Sequence, residues 1–274
     1  MLSAASAAMP FAIPVAHLHG GEATEGLIDE PIRHSITKMS HLHFVTTKQY
    51  YQRVLQLGEE PWRITESGAP SLDSIKDISY WSKEKLQEKI NLSLDKPTIL
   101  VTLHPVTLEY EDTIHHIDCL LKALKKLKIQ VVFTYPNADT SGRIIIDKIK
   151  ELVVENEWAS SVINFGQEGY FTMLKYASAM VGNSSSGIIE SASFEIPVLN
   201  IGNRQRGRVH SFNVVDVGYD ETLIYNSIKK IISPSFNKKL KGMKNPYGEG
   251  NASESIINVL LNVEINKKLI MKKF

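Results

Sequence analysis

The sequence predicts an α/β protein built as two Rossmann-like, doubly wound units, the first of them incomplete. Three observations carry this. From about Pro97 onward, short β-branched-rich runs alternate with segments of helical periodicity. The runs are nearly all apolar, which is the pattern of a parallel sheet covered on both faces. The same alternation recurs in shorter form before residue 76, with too few strands for a complete sheet. At 274 residues, 43% hydrophobic and 22% charged, the chain has the composition and length of a globular protein of two ordinary domains.

The first sixteen residues, MLSAASAAMPFAIPVA, are apolar, but they lack a basic start and are interrupted by Pro10 and Pro14. They predict a short helix followed by a buried strand rather than a signal segment. Strands are expected at 13–19 and 42–47, helices at 30–40 and 48–58, and a strand with a turn over 62–75. Residues 76–96, lysine-rich and weakly periodic, read as a link. The second unit carries expected strands at 98–104, 129–135, 161–165, 179–183 and 197–202, with helices at 112–127, 141–156, 169–177 and 185–195. The end of the chain is helical and then basic, and its lysine pairs predict a solvated face. The divisions are 1–85, 86–250 and 251–274.

Composition excludes several classes of function. A formal net charge of +1 gives no field that would gather nucleic acid or an acidic membrane. No run of eighteen apolar residues is present, so nothing spans a bilayer as a helix. The single cysteine, Cys119, excludes an internal disulfide framework, fits a reducing cytoplasm, and reads as a core residue.

In an open α/β sheet, ligands bind beyond the carboxyl ends of the strands. Ser184, Ser185, Ser186 and Gly187 follow the 179–183 strand and open the 185–195 helix. Free N–H groups and the helix dipole there favour a phosphate, and Gly187 would let it approach the backbone. The same serines also suit an ordinary helix cap. Glu190 falls one turn on and could accept from the two hydroxyls of a ribose. Arg204 follows the next strand on the same edge and could pair with a diphosphate, whereas Arg206 and Arg208 read as surface residues. His104 ends its strand before Pro105, where it is either structural or a ligand or acid/base group.

The stretch HLHGGEATEGLIDEPIRH, 17–34, is the second constellation. Glu22 beside Gly20 and Gly21 is a carboxylate in a strand-end turn. Asp29 and Arg33 are spaced i, i+4 and could present a carboxylate and a guanidinium together, or form a plain surface pair. His17 and His19 on one side of a strand suggest a metal site, but nearby Arg33 and the lack of a clear fourth ligand argue against zinc.

These stretches, together with VTLHPVT, FTYPNADTSG and GNSSSGIIESASFEIPVLNIGNRQRGR, resemble the hydrolysing UDP-N-acetylglucosamine 2-epimerases over most of residues 13–217. The resemblance implies a fold similar to the two-domain GT-B glycosyltransferases, with a C-terminal helix crossing back to the first domain. It implies Ser184 and Ser185, with Ser186 and Gly187, on the diphosphate, Glu190 on the ribose, and Arg204 on the nucleotide side. His104 would reach the sugar-phosphate, and Glu22, Asp29 and Arg33 match positions of catalysis or sugar-phosphate binding. The non-hydrolysing branch usually has a glutamate where His19 stands, so HLHGGE favours the hydrolysing branch. The implied chemistry eliminates UDP across C1–C2 and then adds water with inversion at C2, for the synthesis of sialic-type acids. It requires no metal and no cofactor, and the partner is a UDP-sugar in a homo-oligomer.

Family members begin with further βα units, including a Gly-Asp-Arg segment whose aspartate is catalytic. The chain begins where that segment would end, so it is expected to be an N-terminally truncated member that binds UDP weakly and turns over poorly. A GT-B glycosyltransferase and a non-catalytic UDP-binding remnant are the rival readings. The exact sugar stays open between N-acetylglucosamine and a 2,4-diacetamido sugar.

Overall fold

The computed structural model describes residues 1–138 and 141–273. Asp139 and Thr140 of the FTYPNADTSG stretch, and Phe274, lie outside the described residues. All strand pairings are parallel. A three-stranded sheet orders β1 (Ala16–Leu18), β2 (Leu42–Val45) and β3 (Ile64–Glu66) in sequence. The larger sheet comprises β4 (Thr98–Thr102), β5 (Gln130–Thr134), β6 (Ala159–Val162), β7 (Ala179–Gly182), β8 (Val198–Ile201) and β9 (Val214–Val217). Its order is β6-β5-β4-β7-β8-β9.

The larger sheet is covered on both faces because its strands alternate between two apolar clusters. Ile99 and Val101 of β4, with Val131 and Phe133 of β5, join the helices Thr113–Leu127, Gly142–Glu155 and Glu221–Ile231. Leu100 and Val132 point the other way, toward Leu86 and Ile90 of the helix Lys83–Ile90 and toward Phe171 and Met173 of Gly166–Tyr176. This period of two is the pleat expressed in a sheet buried on both sides. Cys119 belongs to the first cluster, with its thiol pushed up by burial.

The chain departs from its sequence-based reading in several places: the expected 161–165 strand is Ala159–Val162, and β9 with the helix Glu221–Ile231 follows the last expected strand. Residues 76–96 are no loose link: Leu86 and Ile90 are fully buried, and the helix carrying them spans residue 85. β1 is a three-residue strand with only His17 buried, while Ile13 and Leu18 are exposed, so the apolar opening segment does not become a buried strand. The expected 185–195 helix is a four-residue α-helix, Ser186–Ile189, followed by a 3-10 turn, Ser191–Phe194. The basic C-terminus is no simply solvated face. Lys272 Nζ donates to the carbonyls of Lys38 and Ser40 and reaches Glu59 Oε2 at 2.7 Å.

Several contacts join the two sheets' layers. One apolar cluster runs from Val45, Tyr50 and Val54 through Ala69 and Leu72 to Leu100 and Val198. Tyr50 Oη and Tyr247 Oη lie 3.0 Å apart. Val209 donates its N–H to Tyr50 Oη at 2.9 Å, and its carbonyl accepts from Tyr247 Oη at 2.7 Å. The C-terminal segment packs Ile256 and Leu269 on Leu42 and Phe44 of β2. Buried Arg63 holds it there, donating to the carbonyls of Leu269 at 2.8 Å, Lys268 at 2.9 Å and Met271 at 3.4 Å.

Candidate active site

The crossovers run in opposite directions on either side of β4 and β7, which makes the carboxyl ends of these two strands the place where a crevice opens. Asn183, fully buried just after β7, organises that edge. Its Oδ1 accepts from the His104 N–H at 2.7 Å, and its Nδ2 donates to the His104 carbonyl at 2.8 Å. Its own carbonyl accepts from Arg204 Nη1 at 3.2 Å and Gln205 Nε2 at 2.8 Å. One residue therefore fixes His104, the serine turn that follows it, and Arg204. The Asn137 N–H donates to His104 Nδ1 at 3.0 Å, so a neutral His104 carries its proton on Nε2.

Beyond β7 lies a cavity of about 410 Å³, lined by Phe165, Gln167, Tyr170, Ser185, Ser186 and Glu190 among others. Burial pushes the Glu190 carboxyl up, and Ser71 and Ser186 only partly offset this. Such a carboxyl gains when hydroxyl donors reach it. The helix dipole expected at this turn is that of a single helical turn. The helix after the turn has four residues, and its opening N–H groups are spent locally: Gly187 on the Ser184 carbonyl, Ile188 and Ile189 on that of Ser185. The serine hydroxyls remain as donors for an anion. Gly187 also serves packing, because a Cβ there would meet Val198 Cγ1 at 3.0 Å.

A second cavity of about 290 Å³ lies between the halves, lined by His17, His19, Glu22, Asp29, Arg33, Ser185 and Arg208 among others. Ser185 borders both cavities. The chain turns sharply after β1, with His19 at φ 63° and Gly21 at φ 75°, and this turn delivers Glu22 to the cleft floor. The buried Glu22 Oε1 lies 2.8 Å from His19 Nδ1 and accepts from Thr46 Oγ1 at 3.3 Å. Its Oε2 meets Arg208 Nη2 at 3.0 Å. Burial pushes this carboxyl up, but the His19 hydrogen bond and the charges of Arg208, His19 and Arg33 outweigh it and hold the group below the usual range. The site thus contains two carboxyls moved apart: Glu22 stays ionised while Glu190 is pushed toward neutrality.

Arg208, read from sequence as a surface residue, is mostly buried and crosses from the loop after β8 to the first half. Arg206 is the exposed one, pairing with Glu25 at 3.0 Å. Arg33 does not pair with Asp29. Its Nη1 reaches Glu30 Oε2 at 2.9 Å and the Glu22 carbonyl at 3.2 Å, and its Nη2 reaches Thr24 Oγ1 at 3.1 Å. Asp29 is exposed at the cleft mouth. No group of three or more metal-ligating side chains is present among the described residues. Besides Arg208, reading from sequence missed Asn183 and Tyr170. Asn183 had a positional signal, as the polar residue at the strand exit; Tyr170 had none.

His17 is a buried imidazole in the wall of the second cavity. Its Nδ1 lies 3.1 Å from Thr37 Oγ1, whose proton goes to the Arg33 carbonyl, and burial together with the charges of His43, Arg33 and His19 lowers the ring to about 4. The unfolded chain takes up a proton near pH 6.5 that the folded chain refuses, so this contribution to stability is complete above about pH 6.5 and lost as pH falls toward 4. Its full size is about 3 kcal/mol. His17→Gln is expected to flatten the stability–pH curve between those limits by about one proton. An unchanged slope in urea titrations across that range would remove His17 from the account.

Among known proteins, residues 1–261 match the family model described as UDP-N-acetylglucosamine 2-epimerase. A GDP/UDP-N,N'-diacetylbacillosamine 2-epimerase (hydrolyzing) of Campylobacter jejuni is 44% identical over 218 residues, which is 79% of this chain and 57% of that protein. A UDP-N,N'-diacetylbacillosamine 2-epimerase (hydrolyzing) of Legionella pneumophila is 34% identical over 99% of this chain and 71% of its own. The polysialic acid biosynthesis protein P7 of Escherichia coli is 36% identical over 100% of this chain and 70% of its own. The chain therefore spans between 57% and 71% of the length of these relatives. Among solved structures, a UDP-GlcNAc 2-epimerase from Neisseria meningitidis bound to UDP-GlcNAc superposes with a TM-score of 0.82 over 96% of this chain and 73% of that one, at 20% identity. That likeness supports the GT-B-like arrangement of two Rossmann-like units. On the match over residues 1–261 and the identities to these relatives, the chain belongs to the UDP-N-acetylglucosamine 2-epimerase family.

Proposed function

We propose that this polypeptide holds a UDP-sugar across the cleft and belongs to an enzyme that hydrolyses it with inversion at C2. The observation that carries the reading is Ser185, which borders both the cavity containing Glu190 and the cavity containing Glu22. A nucleoside diphosphate sugar has that shape: a nucleoside, an anionic middle and a sugar. The nucleoside sits beside Phe165 and Tyr170 with its ribose on Glu190. The diphosphate lies on Ser184, Ser185 and Ser186, flanked by Arg204 and His104. The sugar enters the cleft over Glu22, Asp29 and Arg33. Elimination of UDP breaks the C1–O bond while a carboxylate of the cleft takes the C2 proton, and water then adds across the new C1–C2 double bond. Glu22, kept ionised, supplies negative charge where the sugar ring becomes electron-poor, and the serine and arginine donors stabilise the departing diphosphate.

The names of the relatives support a 2-acetamido or 2,4-diacetamido UDP-sugar as substrate and a product used for sialic-type acids. No helix among the described residues is long and apolar enough to cross a membrane. Incubation with UDP-N-acetylglucosamine and with its 2,4-diacetamido counterpart, without acceptor, tests the reaction through release of UDP and a free 2-epimeric sugar. Turnover only after an acceptor is added would support a glycosyltransferase. UDP binding without turnover would support a non-catalytic role for this polypeptide. Within the reading, Glu190→Gln is expected to weaken both uridine and UDP by about 10-fold, the scale of one to two hydrogen bonds to the ribose hydroxyls. Equal affinities by calorimetry would move the ribose elsewhere.

A further inference from the structure

Arg208 is held by one of its three guanidinium nitrogens. Nη2 contacts Glu22 Oε2, while Nε and Nη1 are buried and have no hydrogen-bond partner among the described residues. Buried donors left unmade are costly, by more for a charged group than a neutral one. The residue lines the same cleft as Ser185, and its charge also acts on the Glu190 carboxyl. Its position is not adjustable by a long flexible loop. One residue on, Val209 is tied through both its N–H and its carbonyl to Tyr50 and Tyr247, and three residues back, Gln205 is tied to Asn183. The guanidinium is thus presented from a segment fixed at both ends, with a carboxylate on one side and two unused donors on the others.

We propose that Arg208 is a substrate-contacting residue that shares its guanidinium between the Glu22 carboxylate and the diphosphate of the bound sugar nucleotide. This rests on the UDP reading above and assigns the site a second arginine besides Arg204. A forked cation of this kind can bind a carboxylate at one edge and a phosphate oxygen at another, which a lysine's point charge cannot do with the same geometry. The two anions compete for one cation. Glu22 therefore weakens diphosphate binding in the resting site, and a diphosphate drawn to Arg208 loosens the restraint on Glu22. In the reaction, the arginine that keeps Glu22 ionised is also the one that receives charge as UDP departs.

Calorimetry with UDP and with uridine tests this, because uridine lacks the group Arg208 is proposed to contact. Arg208→Gln is expected to weaken UDP by about 10- to 100-fold while leaving uridine unchanged. Arg208→Lys is expected to recover part of the loss. Glu22→Gln is expected to tighten UDP by about 3- to 10-fold, since it removes a competing negative charge, and the gain should vanish in the Arg208→Gln background. Equal UDP affinity for Arg208→Gln and the parent overturns the proposal. So does a parallel loss of UDP and uridine, which would mark Arg208 as purely structural. A gain from Glu22→Gln that persists without Arg208 overturns the sharing. A parent chain that binds neither ligand overturns the UDP reading itself, a result that cannot be mistaken for the others.

Discussion

Gly182→Ala is expected to cost more than about 4 kcal/mol of unfolding free energy, enough to lower the melting temperature by roughly 10 °C. Gly182 ends β7 opposite Thr102 of β4, at φ 133°, a conformation closed to other residues. A Cβ placed there would sit 1.9 Å from the Thr102 carbonyl oxygen and 2.7 Å from its carbon. Neither atom can retreat, because that carbonyl accepts the Asn183 N–H at 3.0 Å and both strands are buried. The clash lies at the strand pair that carries His104 and Asn183, so UDP binding should fall along with stability. Gly218→Ala is the control, since a Cβ there meets nothing within 4 Å. Urea unfolding of both variants makes the comparison. A loss under about 1 kcal/mol at Gly182 would mean that β4 and β7 can separate without penalty, against the account of a rigid crevice edge.

Arg63→Met should be nearly as severe, at roughly 3–5 kcal/mol. The side chain is fully buried, with Nε on Glu60 at 2.8 Å and four carbonyls on its terminal nitrogens, one of them that of His41 at 3.1 Å. Methionine fills similar space but satisfies none of them, and it leaves buried acceptors without donors. Three of those carbonyls belong to the C-terminal segment, so the damage should be local before it is global. Trypsin is expected to cut faster at Lys267 and Lys268 in the variant well below its melting temperature. A variant with the parent's digestion pattern would show that Leu269 and Lys272 hold the segment unaided.

The parts legible in the sequence were those governed by local rules. Strands β4, β5, β7 and β8 stand out because burial on both faces demands uninterrupted apolar runs, and Ser184–Glu190 stands out because a strand exit is a place of known meaning. What could not be read depends on partners distant in the chain. Arg208 looks like any loop arginine until the fold brings Glu22 to it from 186 positions earlier. Gly187 packs against Val198 of β8, a contact that only the fold reveals. The i, i+4 pairing of Asp29 with Arg33 was a sound local expectation, but Glu30 and Thr24 offered the guanidinium a better-enclosed set of acceptors. At the split of the 185–195 helix, Ser191 Oγ donates to the Gly187 carbonyl at 2.7 Å, a local bond that competes with continuing the helix.

The segment from Arg204 to Val209 is pinned at Asn183 on one side and at Tyr50 and Tyr247 on the other. It therefore behaves as a strut rather than a lid. Two halves joined in this way need not swing to communicate. The charge it carries at Arg208 acts on a carboxyl in each cavity, Glu22 and Glu190, so the two walls share one fixed electrostatic field.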